Sequence, residues 1–328
     1  MLAAVISAFG GPDVLAVREV PTPRARSHEV LVRVRGSALN RADVLQRLGR
    51  YPAPPDAPRD IPGIEFAGEV VELGSDASRV RPGERVFGIV GGGAHAEYLT
   101  VHEDAIVRVP DTLSWREAAA VPEAFITAHD AMIAQADLAP GGSVLIHAVA
   151  SGVGLAAVQL AVAAGARVFG TTRSRDKLDA ARALGLTGGA VLDGDLSSLG
   201  HLIAEWTGGQ GVDIVLDLLG GSYLSASLAC LAPRGRLMAV GTLAGAQASI
   251  DLRLVLTRRL SLIGTVLRSR PLSEKIAVAR RFESEVAPLL ASGAVKPVVD
   301  SSFPLAEIAA AHRRMESNLS VGKVVLEI

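Results

Sequence analysis

The first place in this chain where residue types and spacing suggest chemistry is His147-Ala-Val-Ala-Ser-Gly-Val-Gly-Leu-Ala-Ala157, which follows a β-branched run and opens a helical one. A small-residue turn between strand and helix presents backbone N–H groups and the positive helix end to a pyrophosphate. The strict Gly-x-Gly-x-x-Gly register is not met: aligned on Gly154, its first two glycine positions hold Val149 and Ser151. Close approach therefore falls to Ser151, whose hydroxyl can donate to phosphate, and to Gly152, Val153 and Gly154. The next strand, roughly 20 residues on, is where a carboxylate would accept a hydrogen bond from a ribose 2′-OH. Here it ends in Gly170-Thr-Thr-Arg-Ser-Arg-Asp-Lys177, with Arg173, Arg175 and Lys177 crowding the tip beside Ser174. That set suits a 2′-phosphate and favours NADPH. The plain alternative is that these cations solvate the exposed start of a helix, where Asp176 answers to the helix dipole.

Such a turn needs a parallel sheet behind it. From about residue 119, β-runs alternate with helical stretches: strands near 143–149, 167–172, 189–192, 212–217, 235–240 and 259–264, separated by helices near 152–164, 174–184, 196–206 and 223–231. This spacing predicts a doubly wound dinucleotide fold of six strands over 119–264. Before it, β-branched runs near 30–34, 68–73, 85–90 and 105–109, broken by Gly and Pro, predict a β-rich unit that starts with a strand in Met1–Phe9. Tyr51-Pro-Ala-Pro-Pro-Asp-Ala-Pro58 holds four prolines in eight residues and predicts an extended surface loop. After about 265 come a long helix, Pro271 to Ala291, and a last strand, Lys323 to Ile328. A finished six-stranded sheet has no place for that strand, so it is expected to return to the N-terminal unit. The fold class is α/β with a β-rich companion domain.

Composition agrees with two domains and a small partner. The 328 residues are 49% hydrophobic and 20% charged, which can fill two cores. Lys+Arg of 33 against Asp+Glu of 34 leaves a net charge of −1 with no block of one sign, which argues against nucleic acid or acidic membrane as partner. The one cysteine, Cys230, excludes an internal disulfide and a cysteine-based zinc cluster. The longest apolar stretch, Leu155 to Ala166, is interrupted and too short for the roughly 20 residues of a membrane helix. With no basic n-region or cleavage site at the start, a cytoplasmic location is expected.

Five segments in order carry a resemblance: Gly36-Ser-Ala-Leu-Asn-Arg-Ala-Asp43, Pro62-Gly-Ile-Glu-Phe-Ala-Gly68, Pro122-Glu-Ala-Phe-Ile-Thr127, Ala150-Ser-Gly-Val-Gly154 and Asp217-Leu-Leu-Gly-Gly221. Together they resemble the medium-chain dehydrogenase/reductase superfamily, specifically its zinc-independent quinone oxidoreductases of the p53-inducible type. The resemblance runs nearly end to end and closes on Ser317-Asn-Leu-Ser-Val-Gly-Lys-Val-Val-Leu326. It implies a GroES-like catalytic domain over 1–118, completed by 265–328, and a Rossmann NADP(H)-binding domain over 119–264, with the active site in the cleft and a homodimer formed through Rossmann edge strands. Zinc-dependent relatives carry a catalytic Cys, a His–Glu pair, a second Cys and a four-Cys lobe. This chain has Asn40 at the first of these, Ile64–Glu65 at the pair and no cysteine lobe. No catalytic metal is therefore expected. The acceptor must then take hydride without a Lewis acid, as a quinone or activated enone does.

Roles follow from that resemblance. The expected activity is NADPH-dependent quinone reduction, with Tyr51 as hydrogen-bond donor to the acceptor. Asn40 donates to substrate or cofactor and Asp43 orients its neighbours, a turn-stabilising task being equally open to both. Cofactor contacts are expected from Thr127, Leu219, Gly220, Gly241, Thr242, Arg268 and Asn318, in addition to the phosphate turn and the Arg173–Lys177 cluster. Thr127 is equally open to a backbone-capping role, and Arg268 and Asn318 to a surface one. The related type has a tyrosine near the third strand's end that helps hold the 2′-phosphate, whereas this chain has Leu192-Asp193. His147 and Cys230 are expected to be core residues, and Gly91-Gly-Gly93 with His95 a turn. Two rivals stand beside quinone reduction: reduction of an enone or enoyl C=C bond, and a non-catalytic NADPH-binding regulatory protein.

Overall fold

Val30, Val32 and Val34 recur every second residue, so one face of an extended segment is apolar and must be covered. In a computed structural model that describes all of residues 1–328, this face packs against Phe66, Val70, Val86 and Ile106. Two units result, one of Met1–Ile126 with Leu267–Ile328 and one of Thr127–Val266.

The chain begins with β1 (Leu2–Ile6) and β2 (Leu15–Glu19), an antiparallel pair. There follow β3 (Glu29–Ala38), β4 (Glu65–Leu73), β5 (Arg85–Ile89), β6 (Tyr98–His102) and β7 (Ile106–Arg108). The second unit holds β8 (Ser143–Ile146), β9 (Arg167–Thr172), β10 (Gly188–Val191), β11 (Val212–Asp217), β12 (Leu231–Ala239) and β13 (Ser261–Gly264). The chain ends with β14 (Val299–Pro304) and β15 (Lys323–Glu327). In the first unit the order is β14-β15-β3-β4-β5-β7, with β6 also on β3, and β15 runs antiparallel to β3. In the second it is β10-β9-β8-β11-β12-β13, every pairing parallel. Strand order thus reverses at β8, the place where such sheets leave a crevice at their carboxyl edge. No helix is long and apolar enough to cross a membrane.

Two boundaries differ from the sequence expectation. Residues 119–126 belong to the first unit, because Pro122–Ile126 packs on β4 and β5 and the Glu123 N–H donates to Glu65 Oε2 at 2.8 Å. Residues 265 and 266 stay with the second, where the Thr265 N–H donates to the Ala239 carbonyl and prolongs the β12–β13 pairing. The expected helix from Pro271 to Ala291 is two, Leu272–Glu285 and Ala287–Ala291. Pro288 has no N–H for the preceding turn and its ring crowds the carbonyl four residues back, so the first helix ends ahead of it.

Both cores enclose neutral histidines. Burial alone pushes His147 down to about 3, and burial together with His95 and Arg47 pushes His312 down to about 2. The unfolded chain protonates such groups near 6.5 while the native one refuses the proton, so native stability is lost as pH falls from about 6.5 toward those values. The urea midpoint is expected to drop between pH 7.5 and pH 5, and His147→Asn should lose less of it over the same interval; an equal loss would place the acid sensitivity elsewhere.

Candidate active site

In the second unit the chain leaves β8 through Ala148, held at φ +50, and enters the helix Gly152–Ala163. Ser151 caps that helix, its Oγ accepting the Gly154 N–H at 3.0 Å. The first-turn N–H groups of Gly152 and Val153 remain for an anion, as does the Ser151 hydroxyl proton. Gly154 is required for close packing: a Cβ there would lie 2.5 Å from the Val149 carbonyl oxygen. Below the turn, His147 Nε2 donates to Ser227 Oγ at 2.8 Å, Ser227 passes its own proton to the Tyr223 carbonyl at 2.6 Å, and Thr171 Oγ1 donates to His147 Nδ1 at 2.7 Å. One tautomer satisfies every bond, so His147 ties β8 to β9 and to the helix Ser222–Cys230 as a core residue.

At the end of β9, Arg173 and Arg175 are exposed and Lys177 is half-buried in the first turns of the helix Arg175–Arg182. At the end of β11, buried Asp217 accepts the N–H groups of Leu219 at 2.8 Å and Gly220 at 2.9 Å, which folds the chain back. Burial pushes that carboxyl up. The turn after β12 comes so close that a Cβ on Gly241 would lie 2.6 Å from the Leu218 carbonyl, and the Ala244 N–H donates to Leu219 O. Leu219, Gly220, Gly241 and Thr242 are therefore gathered at the same sheet edge as Ser151–Gly154. Thr127, the first residue of this unit, is buried. A crowded small-residue edge with open helix donors fits a dinucleotide. Asp193, after β10, stands with Arg173 near the Tyr223 phenol, which burial pushes up, Arg173 pulls down, and Asp193 and Asp217 push up again. The rim thus carries a carboxylate as well as cations.

In the first unit Asn40 links β3 to the helix Arg41–Arg47. Its Nδ2 donates to Glu65 Oε1 at 2.7 Å and to the Ala38 carbonyl at 3.2 Å, and its Oδ1 accepts from Lys323 Nζ at 2.7 Å. Lys323 Nζ also donates to the Leu39 carbonyl at 3.1 Å and pairs with Glu65 Oε1 at 2.7 Å. Both side chains are buried. The substrate or cofactor contact expected of Asn40 is replaced by this network, since both amide protons are engaged inside the chain. Asp43 does orient its neighbours: Oδ2 accepts the Asn40 N–H at 2.7 Å and Oδ1 the Gly63 N–H at 2.9 Å.

Tyr51 lies half-buried with the Arg268 guanidinium 4.8 Å from its ring centre. Burial pushes its phenol up, Arg268 pulls it down and Glu123 pushes it up again. Arg268 is 3% exposed, and its three nitrogens donate to Gly91 O, Tyr51 O and Gln46 Oε1. Three of its N–H groups are thus engaged within the first unit. Asn318 sits at φ +59 and accepts from the Arg41 guanidinium. Buried His95 lies in the Gly91–Gly93 neighbourhood. Cys230 is 2% exposed, its thiol pushed up to about 12 by burial. Nowhere do three or more His, Cys, Asp or Glu side chains gather as a metal site. Sequence reasoning missed the Glu65–Lys323 pair and Asp217. The available signal was charge out of place: Glu65 between Ile64 and Phe66, Lys323 opening Val-Val-Leu, and Asp217 closing an apolar strand.

The chain is similar over its whole length to several known proteins. The alcohol dehydrogenase GroES-like domain family matches residues 26–111, and the zinc-binding dehydrogenase family matches residues 190–326. Human quinone oxidoreductase is 31% identical over 334 residues, covering 99% of this chain and 97% of its own length. The quinone oxidoreductase of Pseudomonas aeruginosa is 33% identical over 325 residues, covering 98% and 97%. A mycobacterial protein in complex with NADPH superposes with a TM-score of 0.88 at 28% identity, covering 100% of both chains. The CurK enoyl reductase superposes with a TM-score of 0.87 at 31% identity, covering 99% of this chain and 98% of its own.

Removing one member of the buried pair leaves the other charged and unpaired. Lys323→Met is expected to cost about 3–5 kcal/mol of unfolding free energy by urea titration. The double variant with Glu65→Gln should recover part of that loss, and a Lys323→Met protein as stable as the parent would show that the pair carries no weight.

Proposed function

Because this chain belongs to the quinone oxidoreductases of the medium-chain dehydrogenase/reductase superfamily, oxidoreductases built on a nicotinamide-binding fold, we propose that it reduces a quinone with NADPH and without a metal. The observation that carries this reading is the donor set of the first unit. Where zinc relatives offer ligands, Asn40 and Glu65 direct their polar atoms at the Lys323 ammonium and at backbone groups. Lone pairs engaged by N–H donors are poor metal ligands.

When bound, the cofactor supplies a hydride to the acceptor. Gly152 and Val153 offer N–H groups to its pyrophosphate with the Ser151 hydroxyl, while Arg173 and Lys177 answer the 2′-phosphate. Leu219 and Gly220 line the adenosine side, and Gly241, Thr242 and Thr127 the nicotinamide side. Tyr51 has a hydroxyl with no partner inside the chain, and its raised phenol stays protonated at neutral pH. It donates to the acceptor oxygen on which charge develops and, through water, supplies a proton. β13 is the free edge of its sheet, and Leu252, Leu256 and Leu262 beside it are exposed, which supports a homodimer formed at that edge. The location is read as cytoplasmic.

A second reading, reduction of an enone or enoyl C=C bond, is favoured by the likeness to CurK enoyl reductase. Purified protein is expected to consume NADPH faster with 1,2-naphthoquinone than with a 2-alkenal. Turnover with the alkenal and none with any quinone would sink the first reading in favour of the second. Tight NADPH binding with no acceptor turned over would mark a regulator. Lys177→Ala should raise the NADPH dissociation constant by about tenfold while changing that for NADH far less; equal changes would remove Lys177 from the 2′-phosphate site.

A further inference from the structure

The buried group that the proposed mechanism does not use is the Arg268 guanidinium. It gathers three separate stretches of the first unit at one point. Nε donates to the Gly91 carbonyl at 2.7 Å, one terminal nitrogen to the Tyr51 carbonyl at 3.3 Å, and the other to Gln46 Oε1 at 2.5 Å. The amide nitrogen of Gln46 then donates to the Arg59 carbonyl at 3.1 Å, so the bonds reach both ends of the proline-rich loop that begins at Tyr51. The same guanidinium plane lies 4.8 Å from the centre of the Tyr51 ring. Backbone and ring of Tyr51 are therefore held by one side chain.

The far part of the loop, Pro54 to Pro58, rests on Gly91 and Gly93, with Asp56 4.0 Å from Lys275, but its backbone is sparsely bonded. The loop's four prolines cannot donate a backbone hydrogen bond, and the only backbone pairing within it is the Ala57 N–H to the Pro54 carbonyl. Misplacement of a catalytic phenol by about 1 Å can cost about a hundredfold in rate. A planar fork with a stackable face is what the three carbonyl-type acceptors and the ring require, and a lysine provides neither.

We propose that Arg268 is a positioning residue for Tyr51, fixing its ring and backbone so that the hydroxyl is aimed at the acceptor. The proposal rests on Tyr51 as donor. Besides Arg268, the charged group acting on the phenol is Glu123, and Asp43 and Glu123 act on Arg268.

The test compares Arg268→Met and Arg268→Lys in the full-length protein, with thermal melts to confirm folding. Both are expected to lower kcat with quinone by about tenfold or more while NADPH affinity by calorimetry changes by less than about twofold. The chain has only three tyrosines, so spectrophotometric titration, with Tyr51→Phe as the subtraction, reads the Tyr51 phenol directly. Its midpoint should be displaced in both variants, and Arg268→Met added to Tyr51→Phe should cost little further rate. An Arg268→Lys protein that titrates and turns over like the parent would show that charge alone suffices, and a loss confined to NADPH affinity would return Arg268 to a cofactor contact; either overturns positioning. If Arg268→Met fails to fold, the Lys variant and its cycle with Tyr51→Phe decide the matter. A Tyr51→Phe enzyme of unchanged rate would remove Tyr51 from the mechanism. The titration would then decide alone, a displaced midpoint sustaining the clamp and an unmoved one ending it.

Discussion

A carboxylate taken wholly out of water must be met by a positive charge and enough donors, or the fold that buries it fails. Glu65 meets that demand with Lys323, Asn40 and the Glu123 N–H, and the four come from four different stretches of the chain. The pairing therefore brings the end of β3, the start of β4, the start of β15 and the segment at 122–126 to one point. Asn40 sets the helix that carries Asp43, Gln46 and Arg47, and Gln46 in turn receives Arg268. A charge cluster that looks costly in isolation acts here as the register mark of the first unit.

The second unit is organised by the opposite device, the absence of side chains. Glycines at 154, 220 and 241 admit backbone where a methyl group would collide, and the carboxyl ends of β8, β11 and β12 close into one edge. Besides the buried Asp217, charge enters at the rim, through Arg173, Lys177 and Asp193. Such an edge offers a ligand chiefly main-chain groups, with side chains confined to its margin.

Most of the second unit was legible because its signals are local. Alternating apolar runs, a small-residue turn and helix starts lie within a few residues of one another, and period determines them. The return of the last strand was legible by exclusion. What sequence reading missed depends on partners far apart in the chain. Arg268 and Gln46 are 222 residues apart, and nothing near either says that a long cation will be buried. Asn40 has the residue type of a substrate donor, yet its amide is claimed by Glu65, 25 residues away, and by the Ala38 carbonyl. The boundary after Ile126 was missed because it falls inside a helical stretch with no Gly or loop composition at 126–127, whereas Pro288 was a local signal of a helix break that could have been read.

The buried sulfur of Cys230 has a bearing on survival in use. Quinones and enones are Michael acceptors, and the protein group they attack fastest is a thiolate. With its thiol pushed up to about 12 by burial and only 2% exposed, Cys230 stays protonated at neutral pH and out of reach. Since no other cysteine exists in the chain, an electrophile of this kind would meet no exposed thiolate on it.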